Sequence, residues 1–381
     1  MPRKLTIQDI ARLAGVSRST VSRVLNKKPD VDDATRERVL RVIEEHGFIP
    51  DQSATRLAGG RSKIIGVIAP SVSWPLIPTT IQGVLVPVGH WPTIPEIMRG
   101  ITDALGKTPY ELLLYSIDQQ RDHREIIQRI LATQLLSGLL VVLPGQASPY
   151  LLTLHEQGLP VVIIDDQGNP ESIPWVGINN YQGAYRAVRH LIRQGYRRIG
   201  HIRGLYACSE ERYQGYCDAL HEGNIPLDPA LIEQGDFTVS SGQECANRLL
   251  ALPEPPSAIF AGNDQMAIGV LAAAEVRGLQ VPDELAVVGF DDIPFSAHLR
   301  PSLTTVRQPL VEMGQKAVEL LLSLIHQEVR PLDPRLAQFT PSAPQTERPT
   351  RIYLETDFII RESCGATAAR LAPSDTLHSE R

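Results

Sequence analysis

From Ile64 onward, short apolar runs alternate with amphipathic stretches, and no other feature of this 381-residue chain constrains its fold as tightly. Ile64–Ile68, Glu111–Ser116, Gly138–Leu143, Val161–Ile164, Arg198–Arg203, Ala258–Ala261 and Ala286–Gly289 read as buried strands. Between them His123–Thr133, Gln182–Gln194, Glu211–Glu222, Ser240–Ala251 and Gln265–Arg277 carry helical periodicity. Such alternation predicts an α/β chain with parallel sheets covered by helices on both faces. The units are too many for one sheet, so two doubly wound lobes with a cleft between them are expected. Ligands in such folds sit at the carboxyl ends of strands.

Composition is globular, with 43% hydrophobic and 21% charged residues. No apolar run reaches the ~18–20 residues needed to cross a bilayer. The start Met1-Pro2-Arg3-Lys4 leads into polar residues, not an export signal, which predicts a cytoplasmic protein. Cys208, Cys217, Cys245 and Cys364 lie far apart, so reduced thiols are expected, with no metal site and no cofactor. Charge is uneven. Residues 1–63 hold 13 Lys/Arg against 8 Asp/Glu, so the net charge of -6 divides into a head of +5 and a remainder of -11.

The basic head, residues 1–50, reads as three short helices. Thr6 can cap the first, which Gly15 ends, and Ser17 can cap a second running through Val24 and Leu25. A third begins at Asp32 and stops at Gly47. Two short helices joined by a tight turn and braced by a third make a helix-turn-helix. The outward face of the second helix (Arg18, Ser19, Ser22, Arg23) is cationic and hydroxyl-rich with no acid, which suits phosphates and base edges better than plain solvation.

The run from Thr6 through Val16-Ser17-Arg18-Ser19-Thr20-Val21-Ser22-Arg23-Val24-Leu25-Asn26 resembles the N-terminal signature of the lactose-repressor (LacI/GalR) family of bacterial regulators, and Gly47-Phe48-Ile49-Pro50 extends the likeness. By that resemblance Arg18, Ser19 and Arg23 would read bases, while Ser17, Thr20, Ser22 and Asn26 would hold phosphates. Asp30 is an unusual acid here and is expected to face solvent. Residues 51–63 would be a hinge, too short to be helical alone. In the family such a segment orders on DNA, with Leu57 as a minor-groove wedge.

A tandem repeat of 17 residues follows: Gly66–Gln82 aligns with Gly83–Arg99, with identical Gly66/Gly83, Val67/Val84, Pro70/Pro87, Trp74/Trp91, Pro75/Pro92, Ile77/Ile94 and Pro78/Pro95. The family has one such strand–loop–helix segment. The surplus either loops out, the favoured outcome, or lines the pocket.

The resemblance continues through residues 64–363, a bilobed effector-binding and dimerisation domain like the periplasmic sugar-binding proteins. Its blocks include Phe260-Ala-Gly-Asn-Asp-Gln-Met-Ala-Ile-Gly269, Val287-Val-Gly-Phe-Asp-Asp292 and Pro301-Ser-Leu-Thr-Thr-Val-Arg-Gln-Pro309. It implies that Arg212 and Asp291 bind the effector, with Asp165, Phe237 and Asn263 as further pocket members. Each has a structural alternative: a surface arginine for Arg212, a helix cap for Asn263 or Asp264, a turn brace for Asp292. Arg330–Thr350 is proline-rich and reads as an exposed loop before a final strand Ile352–Ile360. Residues 364–381 read as a disordered tail without the a/d repeat of a tetramerising helix.

No nucleophile–base pair, phosphate loop or metal motif is present, so no catalytic residue is assigned and the chain is not expected to be an enzyme. A solute-binding protein would share the body but not the head. The expected function is therefore a transcriptional regulator, foremost a repressor. A homodimer would grip a near-palindromic DNA operator, under control of a small-molecule effector such as a sugar or polyol. A co-repressor-dependent or activating regulator that binds a nucleobase or an acidic metabolite is the alternative.

Overall fold

The computed structural model describes residues 5–25, 28–48, 62–70, 77–81, 84–88, 92–117, 124–133, 135–142, 149–165, 172–327 and 349–365. Asn26, the hinge with Leu57, most of the proline-rich loop and the tail beyond Gly365 lie outside the described residues. Two compact units divide the chain, residues 1–62 and 63–381.

The first unit is three helices, α1 (Ile7–Ala14), α2 (Arg18–Leu25) and α3 (Asp33–Glu45). Thr6 and Asp9 form a reciprocal capping box on α1, and Gly15 ends that helix in the left-handed conformation. The Ser17 hydroxyl accepts from Thr20 N at 3.1 Å, and Asp32 caps α3 through Thr35 N. Ile10, Ala11, Ala14, Val21, Val24, Val31, Val39 and Phe48 form the core. Arg36 ties down the α2–α3 loop by donating to the Lys28 and Val31 carbonyls.

The second unit has two parallel sheets. One orders β13 (Arg351–Leu354), β7 (Trp175–Ile178), β6 (Val161–Ile164), β5 (Gly138–Val142), β1 (Ile64–Pro70) and β4 (Glu111–Ile117). The other orders β11 (Ala286–Val288), β10 (Ala258–Ala261), β8 (Ile199–Arg203) and β9 (Ile232–Gln234). Alternation along β5 explains its continuous apolar run: Leu139 and Val141 face one core, Leu140 and Val142 the other.

Helices α4 (Ile94–Leu105), α5 (Arg124–Thr133), α6 (Pro149–Glu156) and α11 (Leu310–Gln327) belong to the first lobe. The second lobe holds α7 (Asn180–Arg193), α8 (Tyr206–Glu222), α9 (Val239–Leu250) and α10 (Asp264–Val276). Gly100 lets α4 approach α11 closely, since a Cβ there would lie 2.0 Å from the Val311 carbonyl oxygen.

The chain passes between lobes after β7, again from β12 (Thr305–Arg307) into α11, and a third time after β13. That third passage corrects the single final strand expected over Ile352–Ile360. β13 joins the first lobe's sheet, whereas β14 (Asp357–Ile359) pairs antiparallel with β12. Glu355-Thr356 breaks the strand, and Arg186 donates to the Thr356 carbonyl there. Among the described residues no helix is long and apolar enough to cross a membrane.

The two repeat copies take different structures. Copy one supplies β1 and then β2 (Ile77–Ile81); copy two supplies β3 (Val84–Val88) and then α4. β2 and β3 pair only with each other, as an antiparallel hairpin joined to neither lobe's sheet. The surplus thus stands apart from both sheets.

Sequence decides the assignment. Shifted by 17 residues, copy two would place Gln82 where Ile65 is fully buried and Val86 where Ala69 is 3% exposed. Burying an unpaired amide costs roughly 1–3 kcal/mol, so copy one holds β1. After the shared Trp-Pro-x-Ile-Pro, copy one continues with β-branched Thr79-Thr80-Ile81. Copy two continues with Glu96-Ile97-Met98-Arg99, which places an acid in the first helical turn.

Candidate functional site

In the body, a cavity of about 60 Å³ lies at the carboxyl ends of the parallel strands of both lobes. Val142 and Ile164-Asp165 end β5 and β6; Asn263 and Asp291 follow β10 and β11; Gln308 follows β12. Pro92, Thr93 and Ile94 close the cavity from the start of α4, and Tyr206, Cys208 and Arg212 from α8. All five residues expected here, Asp165, Arg212, Phe237, Asn263 and Asp291, line it.

Arg212 is 4% exposed and Asp291 6%, so neither is a surface residue. Arg212 Nε donates to Asn180 Oδ1 at 2.9 Å and Nη1 to the Gly262 carbonyl at 2.5 Å, and the guanidinium stacks 3.7 Å above the Phe290 ring. Asp291 accepts from Gln308 Nε2 at 2.7 Å, and its Oδ1 lies 3.9 Å from Arg212 Nη1.

Burial pushes both Asp291 and its neighbour Asp264 up to about 7, against the lowering influence of Arg212 on Asp291. Asp264 accepts from Thr305 Oγ1, Ser296 Oγ and Ile293 N.

Asn263 is the N-cap of α10 through Met266 N, and its amide also donates to the Phe237 carbonyl at 3.1 Å. It therefore serves the cavity by fixing Phe237. The Phe237 ring packs on Gly204, where a Cβ would come within 1.9 Å of it, and faces Tyr206 with centroids 6.2 Å apart. Asp292 braces the turn, accepting from Arg307 Nε at 2.7 Å and Arg361 Nη2 at 2.6 Å.

Six non-glycine residues among those described have left-handed φ, and four of them, Asp165, Tyr206, Phe237 and Asp291, line this cavity. Such conformations cost about 1–3 kcal/mol each and cluster where side chains must be aimed. Sequence reasoning did not single out Tyr206, Cys208 or Gln308, whose places depend on turns that no local pattern announces.

In the head, Arg18, Ser19 and Arg23 of α2 are exposed, while Thr20 and Ser22 are half-buried. The Ser17 hydroxyl lies 2.7 Å from that of Ser19 and 2.8 Å from that of Thr20. Asp30 is exposed as expected, and pairs with Arg23 at 3.6 Å.

Comparison with known proteins agrees with both units. Residues 6–51 match the model of bacterial regulatory proteins of the lacI family, and residues 188–364 that of a periplasmic binding protein-like domain. Catabolite control protein A of Priestia megaterium is 34% identical, over 85% of this chain and 93% of its own length.

The chain belongs to the LacI family.

Two solved structures extend the likeness to three dimensions. The lac repressor dimer bound to operator and the anti-inducer ONPF is 25% identical, with a TM-score of 0.76, covering 96% of this chain and all of that one. The CelR–cellobiose complex is 32% identical, with a TM-score of 0.65, covering 94% and 99%.

Proposed function

We propose that this LacI-family chain is a homodimeric transcriptional repressor whose grip on operator DNA is set by a neutral, hydroxyl-rich effector. The buried Arg212–Asp291 pair carries this reading. Its charged ends stand 3.9 Å apart without a direct hydrogen bond, in a cavity walled by Tyr206 and Phe237. Carboxylate, amide and guanidinium groups bond vicinal hydroxyls in pairs, and aromatic faces cover a ring.

The alternative of an acidic effector finds less support. The ionisable groups Asp165, Arg212 and Asp291 carry one cation against two acids, and Arg212 already donates to Asn180 and Gly262. The similar regulator solved in complex with cellobiose favours a sugar-like ligand.

At the other end, Arg18, Ser19 and Arg23 would read base edges, with Ser17, Thr20, Ser22 and Asn26 on phosphates and Leu57 in the minor groove. Two heads on a symmetric dimer suit a near-palindromic site. Effector occupancy would shift the lobes and with them the heads' spacing, a coupling of typically 1–3 kcal/mol. The proposal needs no catalytic residue and no cofactor, and it places the protein in the cytoplasm.

The test is a thermal-shift panel of neutral sugars, uronates, sugar phosphates and nucleobases on the intact protein. A ligand at 100 times its Kd raises stability by about 2.7 kcal/mol. Stabilisation by neutral polyols supports the reading, and stabilisation by anions alone overturns it.

A further inference from the structure

Asp30 is the one acid between Ser17 and Val31, a stretch that carries Arg18, Arg23, Lys27 and Lys28. Its place is fixed from both sides. Val31 is buried in the head's core, and Arg36 Nη2 donates to the carbonyls of Lys28 at 2.6 Å and Val31 at 3.3 Å. The anchored loop returns Asp30 to the last turn of α2, where its Oδ2 lies 3.6 Å from Arg23 Nε.

Stability does not account for this contact. Both side chains are 57% exposed, and exposed pairs add little to folding. Toward DNA the acid alone is a liability, since a carboxylate beside phosphates repels every sequence alike.

Paired with Arg23 it acts differently. A carboxylate at Nε leaves the two terminal nitrogens of the guanidinium as a fork, which matches guanine O6 and N7. A fork held in place loses less freedom on docking. The attraction between the two charges also strengthens as water leaves the groove.

We propose that Asp30 is a specificity-determining residue of the head, acting through Arg23. With guanine in place, the arginine keeps both partners, the base and Asp30. On other sequences Arg23 must leave the carboxylate to reach a phosphate, and Asp30 then stands unpaired among phosphates. The acid thus lowers affinity for non-target DNA more than for the operator, which is discrimination by penalty. This rests on the base-reading role of Arg23 given above and adds the residue that enforces it.

Selection from a randomised duplex library tests it on the full-length protein. Wild type, Asp30→Asn and Arg23→Ala are each selected, then titrated at several salt concentrations against the wild-type consensus and a scrambled duplex. Arg23→Ala should lose the preference at one G·C pair of each half-site. Asp30→Asn should bind the scrambled duplex about threefold or more tighter. Its log–log salt slope there should steepen by about one unit, as Arg23 takes a phosphate. Its preference at that same G·C pair should fall about fivefold or more. A preference that Arg23→Ala erases but Asp30→Asn leaves at full strength overturns the inference alone, as does an unchanged affinity for the scrambled duplex. A motif that Arg23→Ala leaves intact, or a wild type that selects none, overturns the base-reading role as well.

Discussion

Arg212 Nη1 and Asp291 Oδ1 lie 3.9 Å apart, beyond hydrogen-bond reach but close enough for one ligand hydroxyl to touch both. Each is held by protein partners of its own: Asn180 and Gly262 for the arginine, Gln308 for the aspartate. The site is therefore preorganised without being closed upon itself, which is the condition for ligand and protein to exchange bonds at little cost.

Removal of the arginine should uncouple the two units. In Arg212→Ala, effector affinity is expected to fall on the order of 10–100-fold, the worth of one or two charge-assisted bonds. Operator affinity in the absence of ligand should be retained. Titration of labelled DNA with and without effector checks this, and a normal ligand response would remove Arg212 from the site.

Effector binding should strengthen as pH rises. Asp291 is pushed up to about 7 by burial, and the groups around it are Arg212, Gln308 and Asp264, with Glu211, itself raised to about 7, beside the arginine. Hydroxyls bond the carboxylate more strongly than its protonated form. Binding therefore releases a proton, and affinity rises through pH 6 to 8, by at most about tenfold per unit below the pKa. Calorimetry across that range should give a slope that Asp291→Asn abolishes. A wild-type profile that is flat, or that falls with pH, contradicts the assignment.

His201 makes a separate acid-side contribution. It is fully buried between Tyr216 and Phe260, donates from Nδ1 to the Phe260 carbonyl, and is held down to about 4 by desolvation. Below its ordinary 6.5 the unfolded chain gains a proton that the native state refuses, so stability falls as pH drops from 6.5 toward 4. Between pH 7 and 5 the loss is about 2 kcal/mol. Urea midpoints of His201→Phe should show that much less acid sensitivity; an unchanged difference would refute it.

Much of this was legible in the sequence, and the rest was not, for identifiable reasons. The strands β1, β5, β6 and β10 declare themselves because both faces are buried, leaving apolar runs with no polar interruption. Asp165, Arg212, Phe237, Asn263 and Asp291 were marked by a family pattern, and the structure gathers them from five separate chain segments. For Asn263 the helix cap was legible, but the second bond of the same amide, to the Phe237 carbonyl, was not. Residues 352–360 read as one strand since nothing local distinguishes β13 from β14; only their pairing partners do.

The repeat gives a further prediction. Deletion of residues 66–82 fuses Ile65 to Gly83-Val84-Leu85-Val86-Pro87, keeping the buried isoleucine and removing Gln82. The body should fold without the β2–β3 hairpin, with a cost of about 1–3 kcal/mol for forcing Val86 into the place of Ala69. Circular dichroism and a thermal melt check this; loss of the cooperative transition would mean the surplus is structural.

Selection of genomic fragments by the intact dimer at 50 and 200 mM salt, with and without the best ligand of the thermal panel, tests the central claim most directly. The account predicts enrichment of a near-palindromic motif and a loss of affinity of about 10³-fold between the two salts if six or more phosphates are contacted. It also predicts a ligand-dependent change of about 5-fold or more that disappears in Arg212→Ala. Fragments bound without sequence preference, or bound identically whatever occupies the cavity, would contradict it.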